Sequence, residues 1–131
     1  MRQGIKSLLG PKPLLGIAIT YTLLITAALL APITGAPKIE IPFADKMVHL
    51  IINAGLFVVW ASYVFSGKTK TTKTYTLPLL FVCTLLYGIL IEVIQGSFIP
   101  TRGADFFDVV ANVCGLILGF FAVKLTKKFI Y

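Results

Sequence analysis

Four stretches of this chain, residues 14–31, 47–65, 75–95 and 106–123, are almost wholly apolar. Each is close to the roughly 20 residues that an α-helix needs to cross the hydrocarbon core of a bilayer. The first carries no charge. The second has His49 and Asn53 as its strongly polar members, the third Glu92 and Gln95, and the fourth Asp108 and Asn112. Hydrocarbon offers the backbone no hydrogen-bond partner, so a spanning segment must satisfy its own N–H and C=O groups, as a helix does. The connections are short, which predicts antiparallel neighbours. The expected fold is all-α: a four-transmembrane-helix bundle with short extracytoplasmic loops, forming one membrane domain over residues 1–131.

Composition points the same way. Hydrophobic residues make up 57 % of the chain, charged residues only 13 %, and the mean hydropathy is +0.92. A soluble domain carries about 25 % charged residues, so this chain has too little polar surface to cover a water-facing globule. The helices are apolar nearly all round, and periodicity separates their inner and lipid faces only weakly. Cys83 and Cys114 lie inside apolar runs and are expected to be small buried hydrophobes.

The first run is read as a span. A secretory signal core is about 7–15 residues, shorter than this run. The one small-residue cleavage site, Ile33-Thr34-Gly35-Ala36, is followed by Pro37, which disfavours cutting.

Charge sets the expected orientation. Arg2, Lys6 and Lys12 precede the first run, Lys68, Lys70 and Lys73 fill the second connection, and Lys124, Lys127 and Lys128 follow the fourth run. The opposite side holds Lys38, Lys46 and Arg102. Basic residues concentrate on the cytoplasmic side of membrane proteins, so both termini are expected in the cytoplasm. All five acidic residues, Glu40, Asp45, Glu92, Asp105 and Asp108, then fall on the outer side. The net charge of +7 is distributed by topology. No basic stripe with interleaved aromatics exists, and no nucleic-acid partner is expected. Trp60, Tyr63 and Tyr75 read as anchors at the inner interface.

The polar residues within the runs fall at one depth. His49 lies in the first outer turn of the second run, Glu92 about one turn from the outer end of the third, and Asp108 and Asn112 in the first two turns of the fourth. Spacing puts Asp45, His49 and Asn53 on one helix face, Glu92 and Gln95 on another, and Asp105, Asp108 and Asn112 on a third. Gly115 and Gly119 continue that last face and suit close helix packing. An ionisable group in a spanning helix costs about 2.5–3.5 kcal/mol at the centre and less toward the interface. Several at one depth therefore predict pairing in a common site. Arg102 is expected to fork onto Glu92 or Asp108, and Asp45 to orient His49. Residues 96–105, with Phe98, Ile99 and Pro100 between Gly96 and Gly103, read as a loop dipping over the polar pocket.

The chain resembles the VanZ-like family of small bacterial membrane proteins. The resemblance rests on Asp45-Lys46-Met47-Val48-His49, Glu92-x-x-Gln95, Pro100-x-Arg102-x-x-Asp105-x-x-Asp108 and Asn112-x-x-Gly115-x-x-x-Gly119. It implies four spans in the bacterial cytoplasmic membrane, and a link to teicoplanin susceptibility through the family's namesake.

Three functions suit these residues. The first is an outward-facing pocket that binds or remodels an envelope lipid or lipid-linked cell-wall precursor, with Lys46 and Arg102 gripping an anionic head group and Gln95, Asp105 and Asn112 completing the binding set. The second is a membrane enzyme acting on the same compounds, a lipid phosphate or pyrophosphate hydrolase or transferase, with His49, Asp45, Glu92 and Asp108 as catalytic groups. The third is a scaffold modulating a partner membrane protein. A divalent cation held by Glu92, Asp105 and Asp108 is the cofactor these carboxylates would suit. No serine–histidine pairing, P-loop or two-histidine phosphatase pattern is present.

Overall fold

The computed structural model describes residues 10–32, 34–35, 43–67 and 75–130, with side chains up to residue 126. It contains four helices: α1 (Pro11–Leu30), α2 (Ala44–Ser66), α3 (Thr76–Phe98) and α4 (Phe106–Ile130). All four are long and apolar enough to cross a membrane. The chain is a multi-pass membrane protein. Most of the basic residues behind the expected orientation, Arg2, Lys6, Lys38, Lys68, Lys70, Lys73 and the side chains of Lys127 and Lys128, lie outside the described residues, as do Glu40, Ile33, Ala36 and Pro37.

The helices overrun the apolar windows at several of their ends. Pro11 opens α1, where a missing N–H costs nothing. α2 begins at Ala44, so Asp45, His49 and Asn53 do share one helical face. α3 continues through Phe98, which the sequence places in the following loop.

α2 and α4 form the most extensive contact, and α1 and α4 lie on opposite sides of the α2–α3 pair. Glycine makes the α2–α4 approach possible. A Cβ on Gly115 would collide with the Leu50 carbonyl oxygen, and one on Gly119 would stand 2.9 Å from the Ala54 carbonyl oxygen. Without side chains there, the two backbones touch directly.

One end of the bundle is filled by apolar groups. Phe57, Ala61, Leu116 and Val123 are buried together, with Phe81 and Phe120 packed against Phe57 at ring-centroid distances of 6.2 and 6.1 Å. α1 is tied to the bundle by polar side chains. Tyr21 donates to the Ile52 carbonyl at 3.0 Å, Trp60 Nε1 donates to Thr22 Oγ1 at 3.0 Å, and the hydroxyls of Thr26 and Tyr87 share a bond of 2.7 Å. Trp60 therefore points its N–H at a neighbouring helix, not at the interface as expected from its position. Cys83 and Cys114 are exposed on the outside of the bundle. The sequence expectation placed them inside, and helices apolar on every face give no pattern from which to tell.

Candidate functional site

The other end of the bundle gathers the polar residues of the apolar runs. α2 and α4 begin there, while α1 and α3 end there. His49, Asn53, Gln95 and Asn112 are each 2 % exposed, Glu92 3 % and Asp108 4 %. Six polar side chains from three helices thus share one interior. Burial on this scale is tolerated only with partners, and most of the partners are visible.

Asn112 on α4 is the hub. Its Oδ1 accepts from Asn53 Nδ2 at 2.6 Å and lies 3.2 Å from His49 Nδ1. Asn53 Nδ2 also donates to the His49 carbonyl at 2.9 Å. Both contacts of the Asn53 amide require it to donate, so Asn112 Oδ1 must accept, and His49 Nδ1 must carry its proton to bond there. The network selects the imidazole tautomer. Gln95 Nε2 donates to the Leu29 carbonyl at 2.7 Å and binds the end of α1 to α3.

The second imidazole nitrogen faces carboxylates. His49 Nε2 lies 3.9 Å from Asp45 Oδ1 and 3.9 Å from Asp108 Oδ2, beyond hydrogen-bond length. On the other side of the ring, Glu92 Oε1 lies 3.4 Å from Nδ1. Neither Glu92 oxygen has a hydrogen-bond partner among the described residues, although both are buried.

Lys46, one turn before the cluster, donates to Asp105 Oδ2 at 2.7 Å and to Asp108 Oδ1 at 3.1 Å. The sequence expectation gave Asp108 or Glu92 to Arg102. Lys46 takes that place because it sits on α2 directly opposite the start of α4. Asp105 does not continue the α4 face. It precedes the helix and caps it, accepting from the Phe107 N–H at 2.8 Å. Lys46, with help from the Phe107 N–H, holds the Asp105 carboxyl below the usual carboxylate range.

Arg102 stands apart. Among the described residues it forms no ion pair, and its Nε is buried without a hydrogen-bond partner. It lines an open cavity of about 310 Å³ together with Asp45, His49, Gln95, Thr101, Gly103 and Asp108. The connection from α3 to α4 forms the wall of this cavity. Its fold is a turn closed by the Arg102 N–H on the Ile99 carbonyl at 2.9 Å. Gly96 is in contact with Ala104, which brings the connection back against the last turn of α3.

The structure therefore brings His49, Glu92, Gln95, Asp108 and Asn112 together in the interior, with Asp45, Lys46, Arg102 and Asp105 at its mouth. Two participants carry no chemistry-specific signal in the sequence. Thr101 and Gly103 reach the cavity through the path of the connection alone. Asn53 was legible by its four-residue spacing from His49, though its bridging role depends on Asn112. Of the donors that could hold a metal, Asp45, His49 and Asp108 present ligand atoms within 4.8 Å of one another. This set differs from the all-carboxylate trio expected from composition, because Asp105 turns toward Lys46.

The profile of the VanZ/LLP1 family matches residues 13–127. A protein of Schizosaccharomyces pombe (strain 972 / ATCC 24843), named "Uncharacterized protein C11E3.10", is 33 % identical over 102 residues. That alignment covers 78 % of this chain and 58 % of the relative, so the chain spans a little over half of the relative's length. No solved structure matches the chain. The extent of the profile match settles the matter of kinship: the chain belongs to the VanZ/LLP1 family.

Proposed function

We propose that this VanZ-family membrane protein binds the anionic head group of an envelope lipid, or of a lipid-linked cell-wall precursor, at the outer face of the bacterial cytoplasmic membrane. The observation that carries this reading is Arg102. Lys46 is committed to two carboxylates, whereas Arg102 lines a cavity with a buried Nε that no described residue satisfies. A planar guanidinium in a partly dry site suits phosphate, which it grips through two parallel hydrogen bonds. Gln95 and the Thr101–Gly103 turn line the same space. Ionisable groups inside a membrane protein mark ligand pathways more often than architecture. The outward orientation follows from the distribution of Lys and Arg. A relative in a yeast favours a head group that bacterial and eukaryotic membranes share over one confined to cell-wall precursors.

Extraction in mild detergent followed by mass spectrometry of retained lipid tests this reading. The wild type is expected to carry a phosphate-bearing lipid that Arg102→Ala loses while remaining helical and monodisperse. Equal retention in both proteins would end the proposal. If the lipid is an envelope component, expression in a glycopeptide-sensitive host changes its teicoplanin susceptibility, and Arg102→Ala abolishes that change.

A second reading has its own observation. Asp45 and Asp108 flank His49 Nε2 on the cavity side, an arrangement that suits a general base or nucleophile. Turnover of a polyprenyl phosphate or phospholipid, lost in His49→Ala, would identify an enzyme acting on the same ligand class.

A further inference from the structure

Two buried amides dictate where the proton of His49 sits. With Nδ1–H donating to Asn112, the neutral ring turns its lone pair on Nε2 toward Asp45 Oδ1 and Asp108 Oδ2. A lone pair facing two carboxylates is repulsive unless something positive lies between them. A metal ion bound to Nε2 would supply that positive charge. Among the described residues this end holds four carboxylates, Asp45, Glu92, Asp105 and Asp108, against the permanent cations Lys46 and Arg102. Acidic residues outnumber basic ones in this partly buried site, which suits a divalent cation.

We propose that Asp45, His49 and Asp108 bind one divalent transition-metal ion of the zinc class, with Glu92 as the carboxylate behind His49. A nitrogen ligand with two oxygens selects zinc-like ions over magnesium or calcium, which take oxygen alone. A metal-bound histidine ordinarily presents its other ring nitrogen to a carboxylate or carbonyl, which fixes the tautomer. Glu92 Oε1 and Asn112 Oδ1 stand at 3.4 and 3.2 Å from Nδ1 for this purpose. The buried Glu92 carboxylate, which has no other hydrogen-bond partner among the described residues, thereby acquires a role. Donors around a tetrahedral ion, with bonds of about 2.0–2.1 Å, stand roughly 3.3 Å apart. The two separations from Nε2, 3.9 Å each, need to close by little more than half an ångström, and the two carboxylates, whose ligand atoms lie within 4.8 Å of each other, by up to about 1.5 Å. Asp45 can supply the movement, since its side chain is 62 % exposed on the first turn of α2. Asp108 spends Oδ1 on Lys46 and keeps Oδ2 for the metal. Three protein donors leave a coordination position open, and it faces the cavity because all three line that cavity. This inference does not depend on what the cavity binds.

The test uses the full chain purified in detergent, stripped with a chelator and titrated with Zn²⁺ and with Co²⁺, whose visible absorption reports its ligands. One equivalent per chain is expected, with visible bands of a low-coordinate nitrogen–oxygen site. His49→Ala and Asp108→Asn are expected to weaken binding at least about a hundredfold, and Glu92→Gln about ten- to a hundredfold, the usual effect of a partner behind a ligand. His49 and Asp108 are buried, so their variants risk misfolding. Asp45→Asn avoids this, because its side chain is exposed, and it is expected to weaken binding at least about tenfold with unchanged helicity. Ser62→Ala, on the exposed far end of α2, retains full binding. Failure of the wild type to bind either ion, or equal binding by wild type and Asp45→Asn, overturns the proposal.

Discussion

At one end of the bundle Phe57, Ala61, Leu116 and Val123 fill the interior by shape. At the other end His49, Asn53, Glu92, Gln95, Asp108 and Asn112 fill it with polar atoms. The same helices, α2 and α4, supply most of both sets, and they cross no more than a few turns between one and the other. The apolar end needs only volume, and several side chains of similar size would serve. The polar end needs direction. Asn53 and Asn112 fit because one amide donates twice where the other accepts, and a leucine of equal size would strand two donors. In a bilayer the hydrophobic effect drives neither end, since lipid is as apolar as the core. Packing contacts hold the first end, and hydrogen bonds and ion pairs hold the second. The contrast shows one end that is specified by volume and another that is specified by the direction of its polar atoms.

Variants can break or sharpen that contrast. The largest effect is expected where the two ends are joined. Gly115→Val drives a side chain into the Leu50 carbonyl, and separating α2 from α4 should cost more than about 3 kcal/mol, read as a shifted midpoint in detergent-denaturant titration followed by circular dichroism. Phe57→Ala empties the apolar end. Its expected cost is about 3 kcal/mol, at the low end for a buried aromatic because transfer between lipid and the bundle interior lacks the water-transfer term. Asn112→Leu leaves Asn53 Nδ2 and His49 Nδ1 without their acceptor, with an expected cost of about 1–3 kcal/mol in the same titration. Were Asn112→Leu neutral, the polar end would be dispensable to the fold and its directionality irrelevant. Gln95→Leu removes the bond to the Leu29 carbonyl and should cost about 0.6–1.5 kcal/mol, with cross-linking between α1 and α3 becoming less efficient.

The smallest effect is one of pH. Because Lys46 depresses the Asp105 carboxyl, the native state holds fewer protons than the unfolded chain in acid. The stabilisation is complete above the ordinary aspartate value of about 3.9 and is lost as pH falls through the depressed value. Wild type should show an added loss of stability below about pH 4 that Asp105→Asn lacks. The Asn variant should lose stability less steeply than the wild type over that window while matching it in helicity.

Much of the site was legible in advance, for a reason tied to the membrane. In a soluble domain, polar residues are everywhere and say little. Here His49, Glu92 and Asp108 stand out from nearly unbroken hydrocarbon, so depth along each run places them at one level without any tertiary information. Three-and-four spacing then assigns Asn53 to the face of His49 and Asn112 to that of Asp108. Partners were harder. Arg102 and Lys46 are both long cations near the same carboxylates, and which one reaches Asp108 depends on how α2 is rotated against α4. Asp105 could continue the helix face or cap it, and the backbone direction of the preceding turn decides. Cys83 and Cys114 were misplaced because an all-apolar helix hides which side meets lipid.

The amino-acid order by itself determined the number of spans, their antiparallel course and the depth of the polar level, since each depends on hydropathy measured along one helix. Only the tertiary structure decided that Lys46 clamps Asp105 and Asp108, that Asn112 dictates the tautomer of His49, and that Asp45, His49 and Asp108 face one another across a cavity beside Arg102. Those facts depend on the rotation of one helix about its axis relative to another. The spacing of Gly115 and Gly119 marks the packing face of α4 in the sequence, but that Leu50, Ala54 and Phe57 of α2 are what meets it is decided only in three dimensions.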